Sequence, residues 1–376
     1  MQPPLDRLLR TSLRSFKPYK PGTSVDEVRR RFGIANPVKL SQNENPLGSS
    51  PKALEALRAL GSLSAYIEDD HLRLRARLAR PYEGLCAENV VIGHGGNEIV
   101  QMLFTSFVDP GDEVVMARPT FSLFRKDADI AGGISVEVPL RDGVHDLDAM
   151  RRAVTARTKL VFVCDPNNPT GTRVERQEFF AFARALPADV LLVIDQAYRE
   201  FMDGAGTDGV DVLAIRPATV VLRTASKIYG LAALRFGYGY GSPDVIAALD
   251  RVRLPFNVSG PAAAAVLAAL DDDAFVARSI ANNERGKAQL YAGFARLGVH
   301  AYPTAANFIA VEIPIAADAA YLALLERGVV VRSGDGLGMP GRLRVSVGTE
   351  AENDAFLDAF EALLGVWRAE PLEVGR

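Results

Sequence analysis

An alternation that begins near residue 90 limits the fold more than any other feature of the chain. Short apolar runs rich in β-branched residues ("NVVIG", "DEVVMA", "TKLVFVC", "VLLVID", "TVVLRT") are interleaved with stretches of helical spacing such as "GNEIVQMLFTSF", "FSLFRKDADIA" and "RQEFFAFARAL". Strands that are apolar on both faces and connected through helices belong in a largely parallel sheet covered on both sides, so the chain reads as α/β. After about residue 260 an Ala-rich helical stretch leads to the short strands "NFIAVEI", "VVVRS" and "LRVSVG" and a last helix. That texture predicts a second, smaller α+β unit. The expected division is a large unit over 41–260 and a small one built from 1–40 and 261–376.

With 376 residues, 48% of them hydrophobic and 24% charged, the chain can bury a substantial core. A net charge of -3 without a long Lys/Arg block offers no footprint for nucleic acid or an anionic membrane, which leaves a small molecule as the expected partner. The start, "MQPPLDRLLR", lacks the basic and apolar regions of a secretory signal, and no apolar run reaches membrane-spanning length, so a cytoplasmic location is expected. Cys86 and Cys164 are too few for a disulfide framework or a cysteine zinc site. Both are expected to be core thiols, and no metal site is expected.

Open α/β sheets bind ligands beyond the carboxyl ends of their strands. After "VVIG" come His94, Gly95, Gly96, Asn97 and Glu98, which suit an anion cradle at a helix start or an ordinary tight turn. After "LVFVC" comes "DPNNPTG", a rigid turn that presents Asn amides. Asp195 closes "VLLVID" with Tyr198 three residues on; a carboxylate there is partly desolvated and calls for a cation, or else caps a helix. After "TVVL" come Arg223, Thr224, Ala225, Ser226 and Lys227, with Arg235 eight residues further. A lone lysine in such apolar surroundings can simply snorkel to solvent. Together, however, the strand ends supply a phosphate cradle, an amine nucleophile, a carboxylate and donors for a phenolic oxygen, which are the requirements of pyridoxal phosphate.

The segments "PYKPG", "KLSQNENPLGSSP", "DPNNPTG", "IDQAYREF", "RTASKIYGLAALRFGY", "RLPFNVS" and "LRVSVGT" make the resemblance specific. From Tyr19 to Asn353 the chain resembles the fold-type-I, pyridoxal-phosphate-dependent aminotransferases, and among them the histidinol-phosphate aminotransferase family. The resemblance implies a mostly parallel seven-stranded sheet sandwiched by helices. It makes Lys227 the lysine that carries the cofactor and Asp195 the partner of the ring nitrogen. Asn168 and Tyr198 would face the phenolic oxygen, and Phe121 would stack on the ring. Gly96, Asn97, Thr224, Ser226 and Arg235 would hold the phosphate. Tyr66 would reach the cofactor of the neighbouring subunit, which implies a homodimer with shared sites. Arg332 and Arg344 would bind substrate anions, with Tyr19, Asn45, His94 and Phe256 around the substrate.

The implied reaction passes an amino group from L-histidinol phosphate to 2-oxoglutarate. Four residues depart from the family pattern: Phe121 for tyrosine, His94 for a frequent asparagine, Ile67 for proline and Gln196 for glutamate. They leave open an aromatic amino acid aminotransferase or a phosphoamino-acid decarboxylase on the same scaffold. A ligand-sensing domain of a transcription regulator would need a basic DNA-binding module. A dinucleotide-dependent dehydrogenase would need a G-x-G-x-x-G spacing that is missing.

Overall fold

A computed structural model describes residues 8–14, 22–67, 71–202, 204 and 206–369. The strands in chain order are β1 (Val38–Lys39), β2 (Val90–His94), β3 (Glu113–Arg118), β4 (Ile134–Pro139), β5 (Thr158–Cys164), β6 (Leu191–Asp195), β7 (Thr219–Thr224) and β8 (Phe236–Gly241). They are followed by β9 (Phe308–Glu312), β10 (Val329–Val330), β11 (Arg332–Ser333) and β12 (Arg342–Ser346).

Seven strands form one sheet in the order β2-β8-β7-β6-β5-β3-β4. Strands β3 to β7 pair in parallel, whereas β8 runs antiparallel to both β2 and β7. Successive strand residues point to opposite faces, and both faces are covered. Val161, Val163, Leu192, Ile194 and Val221 enter one apolar core, and Leu160, Phe162, Leu191, Val193 and Val220 enter the other. That is why these strands read as unbroken apolar runs.

β8, "FGYGYG", alternates small and large. Tyr238 and Tyr240 face the first core, while Gly237 lies where an added Cβ would overlap the Gly96 backbone. The glycine face therefore lets the start of the helix Gly96–Phe107 settle against the sheet.

The expected boundary at residue 260 falls short of the observed core. Ala262, Ala265, Val266 and Ala269 of the helix Gly260–Ala269 are buried with the large sheet, because small side chains let that helix pack closely beside Pro51–Arg58. The remaining strands belong elsewhere: β11-β12-β9 form a second sheet, and β1 pairs in parallel with β10. Leu40 joins the core of this second unit and Val28 packs with Leu325 and Val330, so residues 25–40 pack on the C-terminal part, whereas Thr11–Leu13 lies against the helix Leu123–Ala131 of the large unit. Cys164 is buried as expected, but Cys86 is exposed. It precedes the short turn Ala87–Asn89 rather than lying in a strand, and its thiol donates to Asn89 Oδ1 at 3.2 Å. No described helix is long and apolar enough to cross a membrane.

Candidate active site

The ends of β2, β5, β6 and β7 assemble the site. Lys227, half-buried, lies in the turn after β7, and its Nζ donates to the Gln42 carbonyl at 3.0 Å. Burial lowers its pKa from 10.5 to about 8; the Arg344 and Arg235 guanidinium groups push the same way, while Glu44 and Asp195 oppose. Asp195 ends β6 and is buried, with Oδ1 accepting from the Ala197 amide at 3.0 Å. Burial raises this carboxyl from 3.8 to about 6, against the pull of Lys227.

Tyr198 is also buried, with its ring centroid 5.9 Å from Lys227 Nζ. Burial pushes its phenol up to about 12, so the hydroxyl keeps its proton.

Arg344, on β12, reaches across from the second unit. Its Nη1 donates to Asn168 Oδ1 at 2.6 Å and its Nη2 to the Ser41 carbonyl at 2.8 Å. With Oδ1 taken, the Asn168 amide presents its NH2 group as a donor. Arg332 lies directly opposite Arg344 in the β11–β12 register, which puts two guanidinium groups on neighbouring strands.

Two strand ends converge on a phosphate-sized cradle. Gly95 has φ +76°, and a Cβ added there would stand 2.5 Å from Arg235 Nη2. Only glycine admits the guanidinium so near the helix start, where the Gly96 and Asn97 amides lie. Thr224 Oγ1 donates to Ser226 Oγ at 2.9 Å, and Arg235 Nη1 donates to the Ala232 carbonyl at 3.0 Å. Phe121, half-buried after β3, meets Phe124 edge-on at 5.5 Å.

The Asn45 amide donates to the Ile228 carbonyl and Ser279 Oγ, both at 2.9 Å, and accepts from the Leu47 amide. It is a strut from the N-terminal segment to the turn after Lys227. The His94 side chain is exposed. Phe256 stacks on Tyr66 at 4.5 Å, and Tyr66 itself is 83% exposed. Tyr19 lies outside the described residues. Gln196 is buried and works through both ends of its amide, donating to the Thr207 carbonyl and accepting from the Gly209 amide, each at 2.8 Å. A carboxylate would lack the first of those bonds. Sequence reasoning missed Asn43, whose Nδ2 donates to Tyr198 Oη at 3.0 Å. Its neighbour Asn45, two positions on in "QNENP", drew the attention instead.

Residues 35–360 match the family described as aminotransferase class I and II. A histidinol-phosphate aminotransferase from Moorella thermoacetica is 44% identical over 358 residues, covering 94% of this chain and 92% of its own. The histidinol-phosphate aminotransferase of Sinorhizobium meliloti, solved with pyridoxal-5'-phosphate, superposes with a TM-score of 0.86 at 28% identity, over 95% of this chain and 98% of its own. An aspartate aminotransferase from Thermus thermophilus, solved with maleate, gives 0.83 at 28% identity, over 95% and 99%.

Fold and site together define a class I and II aminotransferase of the pyridoxal-phosphate fold type I. Within that class the chain belongs to the histidinol-phosphate aminotransferase family. The residues present fit pyridoxal phosphate: a glycine-lined cradle against Arg235 suits its phosphate, and a half-buried amine with a lowered pKa stands near a buried carboxyl.

Proposed function

We propose that the protein transfers the amino group of L-histidinol phosphate to 2-oxoglutarate, in two half-reactions at one site of a homodimer. The observation that carries this reading is the half-buried Lys227 amine, lowered to about 8 beside Asp195 and Arg344. When bound, pyridoxal phosphate supplies an electrophilic carbon and an electron-withdrawing ring. Lys227 would hold it covalently. The same Nζ, set free when the substrate amine takes its place, would move the proton of the substrate α-carbon.

Asp195 would hold a proton at the ring nitrogen, and Tyr198 and Asn168 would donate to the phenolic oxygen. The Gly96 and Asn97 amides, the Thr224 and Ser226 hydroxyls and Arg235 would receive the phosphate. Arg344 and Arg332 would bind the anionic ends of both substrates, through planar forks that match phosphate and carboxylate. Tyr66 serves the neighbouring subunit, and Tyr19 and Phe256 flank the imidazole. The family relationship supports the choice of donor.

A donor panel with purified protein tests the substrate. L-histidinol phosphate should exceed phenylalanine in kcat/KM by at least about tenfold, or roughly 1.4 kcal/mol. Arg344→Ala should weaken both half-reactions, since it removes an anion contact and releases Asn168. If phenylalanine or tyrosine is the better donor, the substrate claim fails and an aromatic amino acid aminotransferase replaces it.

A further inference from the structure

We propose that Asn43 is a positioning residue that aims the Tyr198 hydroxyl proton into the cofactor site. The inference rests on the functional reading above and goes one residue beyond it. Asn43 is 1% exposed and has φ 55°, a left-handed backbone that asparagine tolerates better than most residues. The second unit clamps it. Its backbone N–H donates to Ser346 Oγ at 2.8 Å, and its carbonyl accepts from Asn307 Nδ2 at 3.1 Å.

Because Ser346 Oγ accepts from the Asn43 backbone, its own proton is available to Asn43 Oδ1, which lies 3.0 Å away. The side-chain carbonyl is thereby held at Ser346, and Nδ2 is turned to Tyr198 Oη at 3.0 Å. A phenol has a single proton and otherwise only lone pairs. An amide NH2 cannot accept that proton, so the Tyr198 O–H must point elsewhere, and the site at the β6 end is where its acceptor would bind. Arg344 does the same for Asn168 by occupying Oδ1. The donors on both sides of the site are thus oriented by groups from the N-terminal segment and the second unit. The charged and titratable groups around Tyr198 are Arg344, Cys164 and Asp195, with Lys227 over its ring.

The test is a pH titration of the visible absorbance of the cofactor-loaded protein, for the parent, Asn43→Asp and Asn43→Gly, each also combined with Tyr198→Phe. A donor to the ionised phenolic oxygen stabilises the deprotonated chromophore, so losing it should raise the midpoint. Asn43→Asp replaces a donor with an acceptor that captures the phenol proton, and should raise the midpoint by about one unit. In the Tyr198→Phe background that shift should fall to less than half, whereas a bare charge effect would persist there. Asn43→Gly suits the left-handed backbone and should shift in the same direction by a smaller amount.

Unmoved midpoints, or equal shifts in both backgrounds, overturn the inference alone. So does loss of cofactor by Asn43→Gly when Tyr198→Phe retains it, since Asn43 would then support the fold rather than the phenol. A parent protein that takes up no pyridoxal phosphate overturns the functional reading and this inference together.

Discussion

Lys227 and Asp195 show how burial sets chemistry one residue at a time. An amine that ionises near 8 should capture pyridoxal phosphate faster as the pH rises. In the cofactor-free protein the rate should climb about tenfold per pH unit below about 8 and level off above it, since only the neutral amine attacks a carbonyl. Absorbance-monitored reconstitution measures this, and borohydride should fix the cofactor to Lys227 but leave Lys227→Ala unlabelled. A rate still climbing toward pH 10 would mean an ordinary solvated lysine.

For Asp195 the sign is reversed from the usual carboxylate. Its folded pKa of about 6 lies above the ordinary 3.8, so the folded chain binds the proton more readily. This group therefore favours folding as the pH falls from about 6 toward 3.8 and opposes it at neutral pH. Cofactor-free Asp195→Asn should then be more stable at pH 7.5, by up to about 3 kcal/mol, in thermal melts. The loaded variant should lose about a hundredfold in kcat or more, because an amide cannot hold the ring nitrogen protonated. A lower melting point together with near-parental turnover would remove Asp195 from its role.

At the level of elements, the phosphate cradle depends on a strand whose residues alternate glycine and aromatic. Gly237 has no room for a methyl group, because its neighbours are the backbone atoms of Gly95 and Gly96, which cannot swing away as a flexible side chain would. Gly237→Ala should cost about 1–3 kcal/mol of stability. It should also weaken cofactor binding by about tenfold or more, since the shift it forces displaces the N–H groups at the helix start. Thermal melts and a cofactor dissociation constant would check both effects; unchanged affinity would show that the helix start can move without harm.

For the molecule as a whole, Tyr66 and Phe256 form an exposed stacked pair, with Leu63 at 73% and Leu254 at 67% exposure also uncovered on the single chain. Such groups suit a surface that a second copy covers. If Tyr66 serves the neighbouring site, Lys227→Ala and a disruptive Tyr66 variant should each be inactive. Co-assembled, they should recover part of the parental activity, because one hybrid site is intact. A fully active monomer in sedimentation at assay concentration would contradict the shared site.

The α/β class, the strand ends that bear Lys227, Asp195 and Asn168, and the family were legible in the sequence. Each depends on local periodicity or on short motifs, and neighbouring residues alone produce those. The antiparallel β8 was not legible, since glycines weaken a strand signal and become favourable only once Gly95 and Gly96 lie against them. The helix Gly260–Ala269 reads like the Ala-rich start of the second unit, and its place in the first core is set by contacts with Pro51–Arg58 more than 200 residues earlier. Asn43 and Asn45 are indistinguishable as letters in "QNENP". One orients a phenol and the other braces a turn, because hydrogen bonds from Ser346 in the second unit and to Ile228 in the first, both distant in the chain, arise only once the chain has folded.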